Sequence, residues 1–228
     1  MNDVALSMVV PTLGRNEELN LLFDSILKCD IDLKYEIIVV DQNEGNLIED
    51  VISKYKQTLP IRHEKVNFRG SSRARNYGTK LAKGEYICYP DDDCTFEKDT
   101  IMKAMSLLRD GTWDCVCGRS YDKVTGNDSM FIFPRENKVL TCQNLDNSFV
   151  EFAMFFKREL PLNYPYDENL GPGTIHGVHE GYDATFRMLK DGKRIYYTPE
   201  IVFCHPEKKK AGQMELMMLE GLSIIAVD

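Results

Sequence analysis

The first 111 residues alternate between short apolar runs and amphipathic stretches. Residues 5–12 (ALSMVVPT) form a β-rich run stopped by Pro11, the pattern of a buried strand. Residues 15–29 place Leu19, Leu22, Phe23 and Ile26 at helical spacing behind acids in the first turn. Residues 35–43 (YEIIVVDQN) are nearly uniform in Ile and Val, as parallel strands covered on both faces are. A helix over 46–57, a weak strand over 61–66, a helix over 71–84 and a strand over 85–90 follow. In the third helix the serines at 71 and 72 offer N-terminal caps and Gly84 a stop. Strand and helix in strict alternation predict an α/β fold with a doubly wound, mostly parallel sheet flanked by helices.

The second half reads less regularly. A helix is predicted over 96–111, a strand over 113–122, and loops over 122–148. Residues 148–159 (SFVEFAMFFKRE) are β-rich, 164–178 are a Gly/Pro loop, and 180–193 form a helix stopped by Gly192. Residues 194–206 read as two β-type runs around Pro199, and 208–228 as a closing helix. No Gly/Ser spacer, repeat or low-complexity tract interrupts the 228 residues, which predicts a single domain over 1–228.

Charge and cysteine content narrow the class. A net charge of −8 and a pI near 5.1 argue against a nucleic-acid partner. An anionic substrate would need local help from a metal or from a few arginines. The N-terminal residues lack the basic segment and long apolar stretch of a signal peptide, and no run reaches the ~20 residues of a membrane span. Seven cysteines, an odd number in mainly apolar contexts, suit reduced thiols and a cytoplasmic setting. Cys115 and Cys117 alternate like strand residues and read as core rather than as a metal pair.

The candidate chemistry lies where strands end. Open α/β sheets bind ligands beyond the carboxyl ends of their strands. Asp41 and the triplet Asp91, Asp92 and Asp93 fall there. Alternation lets Asp91 and Asp93 converge while Asp92 points elsewhere. Two converging carboxylates suit a hard divalent cation, Mg²⁺ or Mn²⁺, shared with substrate phosphates. The alternative is a solvated acidic turn in which Asp92 or Asp93 caps the next helix.

The ordered set VVPTLGR, IIVVDQN, SSRARNYGTKLAKGEYICYPDDDC, YDENLGPGT, HEGYDATFRMLKDGKRIYYTPE and VFCHP resembles the family 2 glycosyltransferases of GT-A fold. The resemblance is strongest to bacterial enzymes that build capsular and O-antigen polysaccharide, and it runs from Met8 to about Pro206. It implies a nucleotide-sugar-binding half over 1–120, an acceptor and catalytic half over 121–206, and a C-terminal helix over 207–228. It also implies nucleotide-sugar contacts by Pro11, Thr12, Arg15, Asp41, Arg73, Arg75, Asn76, Asp91, Asp92 and the glycines Gly171 and Gly173 of LGPG. Asp93 and His205, with Asp91 beside them, would hold the divalent metal.

For the catalytic base the resemblance leaves a choice. Relatives carry a pair of acids where this chain reads Glu180–Gly181, so the second acid is missing. Glu180 is the favoured base and Asp183 the other candidate, with first-turn dipole complementation the alternative role for both. The implied reaction is an inverting, metal-dependent transfer from a nucleotide-sugar, by default a UDP-sugar, to a saccharide or lipid-linked acceptor. A non-catalytic module that binds a nucleotide-sugar or glycan is the rival suggested by Gly181. A sugar-nucleotide nucleotidyltransferase fits less well, since PTLGRNEE offers only Gly14 and Arg15 where a glycine-rich basic loop is needed. Lys208, Lys209 and Lys210 ahead of MELMMLEGLSII leave two readings of the tail: peripheral contact with an anionic membrane, or a helix packed on the core.

Overall fold

The computed structural model describes residues 4–172, 174 and 176–207. Gly173 and the tail over 208–228, with its membrane-contact reading, lie outside the described residues.

The alternation in the first half folds as expected. Strand β1 (Leu6–Thr12) is wholly buried at the centre of the sheet, followed by α1 (Glu17–Lys28), β2 (Tyr35–Asp41), α2 (Glu49–Tyr55), β3 (Ile61–Lys65), α3 (Ser71–Leu81) and β4 (Tyr86–Cys88). β2 and β4 flank β1 in parallel, and β3 runs parallel outside β2. The chain steps outward from β1 to β3 and then returns past β1 to β4. Right-handed crossovers therefore put α3 on the face opposite α1 and α2. The change of direction opens a crevice between the ends of β1 and β4.

α3 lies against β1 and β2. Gly78 permits that approach, because a Cβ there would stand 2.3 Å from Val9 Cγ1. The serines do not cap this helix. Gly70 precedes it, and Ser72 Oγ instead donates to the carbonyl of Leu170.

The remaining elements are β5 (Thr95–Phe96), α4 (Thr100–Arg109), β6 (Cys115–Tyr121), β7 (Lys138–Val139), β8 (Met154–Lys157), α5 (Glu159–Asn163), α6 (Glu180–Lys190) and β9 (Ile195–Cys204). The main strand order is β3-β2-β1-β4-β8-β6-β9-β5, with β7 also on β9. β8 runs against both β4 and β6, whereas β6 and β9 are parallel to each other and so share the direction of β1 to β4.

Three expectations change. The β-rich stretch 148–159 divides into a 3₁₀ turn at Glu151–Ala153, the four-residue β8 and the start of α5. The two runs around Pro199 form one strand, because the register against β6 shifts between Cys117 and Arg119. That irregularity accommodates a residue without an N–H, and Arg119 Nε donates to the Pro199 carbonyl at 3.2 Å. Helix α4 starts at Thr100 behind Asp99, so neither Asp92 nor Asp93 caps it. All seven cysteines are free, with Cys115 and Cys117 buried in the core as their alternation indicated. Among the described residues no helix is long and apolar enough to cross a membrane.

Candidate active site

The site follows from strand direction. β1, β2, β4 and β9 end on one rim, so Thr12, Asp41, the residues after Cys88 and His205 meet there although nearly 200 residues separate the first from the last. β5 completes the approach. It pairs Thr95 with Cys204 and so draws the aspartate turn alongside the end of β9.

One ligand atom from each of Asp91, Asp93 and His205 lies within 4.8 Å of the others. His205 is buried, and its Nδ1 lies 2.8 Å from the carbonyl oxygen of Pro206, to which it donates. In the neutral ring that bond leaves the Nε2 lone pair facing Asp93 Oδ1, 3.3 Å away. Two carboxylates and an imidazole nitrogen with a fixed tautomer fit Mn²⁺ or Mg²⁺. Without the ion, the pair satisfies itself. Burial works against both charged forms, but the mutual hydrogen bond lowers the Asp93 pKa and raises that of His205. The His205 ring also stacks on Phe152, with centroids 4.8 Å apart and planes 9° from parallel.

Asp92 does point elsewhere. Its Oδ2 accepts from the Leu13 N–H at 3.4 Å, joining the aspartate turn to the turn after β1. Burial, with Asp91 and Asp93 adding negative charge, pushes its pKa up to about 7. Arg15 spans the same gap, with Nη2 3.2 Å from Asp93 Oδ2 and Nη1 2.9 Å from Glu18. Pro11 and Thr12 are buried at the end of β1.

A second pocket of polarity closes the end of β2. Asp41 is buried, and its Oδ1 accepts from the backbone and side-chain amides of Asn43 at 2.9 and 2.8 Å. Its Oδ2 lies 3.0 Å from His63 Nε2 on β3. Asn43 Oδ1 in turn accepts from the Gly14 N–H, which ties the turns after β1 and β2 together. Neither Asn43 nor His63 was singled out from sequence. His63 lay in the weak run IRHEKV, where only the parallel register reveals it as the neighbour of the Asp41 strand.

The α3 residues divide. Arg75 is 3% exposed and reaches Asp91 Oδ1 at 2.8 Å through Nη2 and Glu180 Oε1 at 3.2 Å through Nη1. Burial pulls its pKa down, but Asp91 above all, then Tyr166, Glu151 and Glu180, outweigh that and raise it. Asn76 instead fixes the loop ahead of α6. Its amide donates to the Tyr166 carbonyl at 2.8 Å and to Glu168 at 3.2 Å, and its Oδ1 accepts from the Tyr166 N–H at 3.0 Å. Arg73 lies over the Phe68 ring and near Glu168. Neither Asn76 nor Arg73 joins the carboxylate group, because each is turned toward neighbouring loops.

Around α6 the packing is close. Gly171 has φ +94°, and a Cβ there would stand 2.8 Å from Glu180 Cδ and 2.9 Å from Ser72 Oγ. Gly171 thus presses on Glu180, which begins α6 and is 6% exposed. Asp183, one turn on, is taken by Arg187 at 2.7 Å, so the helix's own i,i+4 geometry satisfies it, and among the described residues it makes no ion pair with Arg75. Gly181 has a different neighbour. A Cβ built there would fall 1.8 Å from Glu151 Oε1 and 2.3 Å from Glu151 Cδ. The carboxylate of Glu151 therefore occupies the space a side chain at 181 would need. Its only sequence signal was a single acid within the apolar run FVEFAMFF.

A mostly parallel sheet flanked by helices, with a crevice at its direction change, is the fold of the GT-A glycosyltransferases. TarS 1-349 of S. aureus superposes with a TM-score of 0.75 at 19% identity, covering 99% of this chain and 66% of that one. The mannosyltransferase PcManGT of Pyrobaculum calidifontis, solved in complex with GDP-Man and Mn²⁺, superposes with a TM-score of 0.70 at 18% identity, covering 95% and 61%. Residues 7–189 match the family description "Glycosyl transferase family 2", and the chain belongs to that family. Among curated relatives, the poly(ribitol-phosphate) beta-N-acetylglucosaminyltransferase TarP of Staphylococcus aureus (strain N315) is 25% identical over 146 residues, 63% of this chain and 45% of that protein. The amylovoran biosynthesis glycosyltransferase AmsB of Erwinia amylovora is 28% identical over 115 residues, 47% of this chain and 37% of that protein. The chain thus spans less than half the length of these curated relatives.

Proposed function

We propose that this chain carries the catalytic domain of an inverting, divalent-metal-dependent glycosyltransferase. It would move a sugar from a nucleotide-sugar, by default a UDP-sugar, to a saccharide or lipid-linked saccharide in polysaccharide biosynthesis. The observation that carries this reading is the convergence of Asp91, Asp93 and His205 at the sheet rim. The names of the relatives support it, as does a solved complex of TarS 1-349 with UDP-GlcNAc, TM-score 0.73.

In this reading Asp41, buried and held by Asn43 and His63, fixes the turns after β1 and β2 that receive the nucleoside. Asp91, Asp93 and His205 hold Mn²⁺ or Mg²⁺, which when bound would offset the charge of the departing diphosphate. Arg15, at the mouth of the same crevice, adds a second positive charge to the phosphates. The LGPG glycines allow the backbone to approach the donor. The carboxylate of Glu151 lies beside Gly181 and that of Glu180 against Gly171, and one of the two removes the proton from the attacking hydroxyl.

The test is a donor panel of UDP-GlcNAc, UDP-Glc and GDP-Man, with and without Mn²⁺, read by calorimetry and by release of the nucleoside diphosphate. The reading expects Mn²⁺-dependent binding and turnover of one donor. Binding without release under any acceptor or pH tried would favour the non-catalytic binding module. A protein that binds none of the donors would overturn the assignment.

A further inference from the structure

We propose that Glu151, on the 3₁₀ turn before β8, is the general base of the transfer, its carboxylate standing in the space beside Gly181. The inference rests on the glycosyl-transfer reading and names a residue within its site. Glu151 Oε1 lies where the first atom of any side chain at 181 would be, over the first turn of α6. An acid absent from the helix is thus replaced in space by one from a segment 30 residues earlier.

Three further observations separate Glu151 from Glu180. Glu180 is held by Arg75 and covered by Gly171, so both its charge and its surface are engaged. Glu151 is only partly buried, and among the described residues its carboxylate has no hydrogen-bond or ion-pair partner in another residue. Its position is nevertheless fixed, because the next residue, Phe152, stacks on His205. One short turn thereby links the candidate cation ligand to the free carboxylate. The electrostatics agree: burial first, then Glu180 and more weakly Asp91, raise the Glu151 pKa against the opposing pull of Arg75. A carboxylate so placed is a better proton acceptor than an ordinary one.

The step balances. The acceptor oxygen bonds to the anomeric carbon while its proton passes to a Glu151 oxygen. The bond from that carbon to the diphosphate breaks, and its electron pair leaves with the nucleoside diphosphate. Glu151 then returns the proton to solvent.

The experiment uses the full chain with Mn²⁺ and the donor found in the panel, following nucleoside diphosphate release and, separately, donor affinity. Glu151→Gln should lower turnover by about 100-fold or more, the usual contribution of a general base, with donor affinity within a few fold of wild type. Glu151→Ala combined with Gly181→Asp should recover at least tenfold over Glu151→Ala alone, since it returns a carboxylate to the same space. Wild-type turnover in Glu151→Gln overturns the proposal and leaves the glycosyl-transfer reading standing. Loss in Glu151→Gln with no recovery in the double variant makes Glu151 a support for α6, and also overturns it. A wild-type protein that binds no donor removes the reading and the proposal together.

Discussion

Arg75 and Glu180 stand 105 positions apart in the chain and 3.2 Å apart in the structure, with Asp91 on the other arm of the same guanidinium. Both ion pairs are sheltered, so removing the cation leaves carboxylates uncompensated. Arg75→Ala should destabilise the fold by about 3–5 kcal/mol, the usual cost of breaking a buried pair. Arg75→Lys should recover only part of it, since an ammonium cannot fork between two partners. Urea denaturation would check both, and an unchanged midpoint in Arg75→Ala would show that the pairs are solvated.

The carboxylate–histidine group predicts its own metal dependence. Asp93→Asn and His205→Ala should each abolish Mn²⁺ binding measurable by calorimetry, while Asp92→Asn, which faces Leu13, should retain it. Phe152→Ala should weaken Mn²⁺ binding without removing a ligand, by freeing the His205 ring. Losses of ~10–100-fold are typical when the support of a metal ligand is removed. Equal affinity in all four variants would place the ion elsewhere.

Two glycines set how closely the site is packed. Gly78→Ala drives a methyl to 2.3 Å from Val9 Cγ1 and should cost about 1–3 kcal/mol by overpacking, moving α3 and with it Arg75. Gly171→Ala adds a left-handed backbone to a clash with Glu180 and should cost a similar amount. Thermal melts check the stability. The positional effect is read as a loss of turnover in either variant at temperatures where it remains folded.

How far these features were legible in the sequence follows from the range over which each is determined. β1 to β4 and their helices were readable because a parallel strand is apolar throughout and its helices carry a 3.6-residue period. The rim placement of Asp91, Asp93 and His205 followed from motif order and strand ends. β8 was harder: three short elements share one apolar run, and nothing local says where a strand of four residues begins. Pro199 looked like a break because the bulge that tolerates it depends on Gly118, where a Cβ would fall 2.0 Å from the Ile201 carbonyl oxygen. Glu151 was invisible for the same reason that makes it interesting. The absence at Gly181 is local, whereas the carboxylate beside it arrives through the tertiary fold.

The same carboxylate carries a cost that pH should expose. Burial beside Glu180 raises the Glu151 pKa above its unfolded value near 4.5, so the native state binds this proton more tightly than the unfolded chain does. The sign follows from linkage. The stabilising contribution is complete below that unfolded value and is lost as pH rises through the raised native one. Arg75 opposes the effect, and Glu180 and Asp91 reinforce it. Glutamine resembles the protonated acid at every pH. Glu151→Gln should therefore melt close to wild type at pH 4 and above it at pH 8, by about 2–4 °C if the relieved strain is near 1 kcal/mol. Scanning fluorimetry at the two pH values decides it. A variant less stable than wild type at pH 8 would mean that the charge of Glu151 holds the site together, and that its carboxylate is not held ready for a proton.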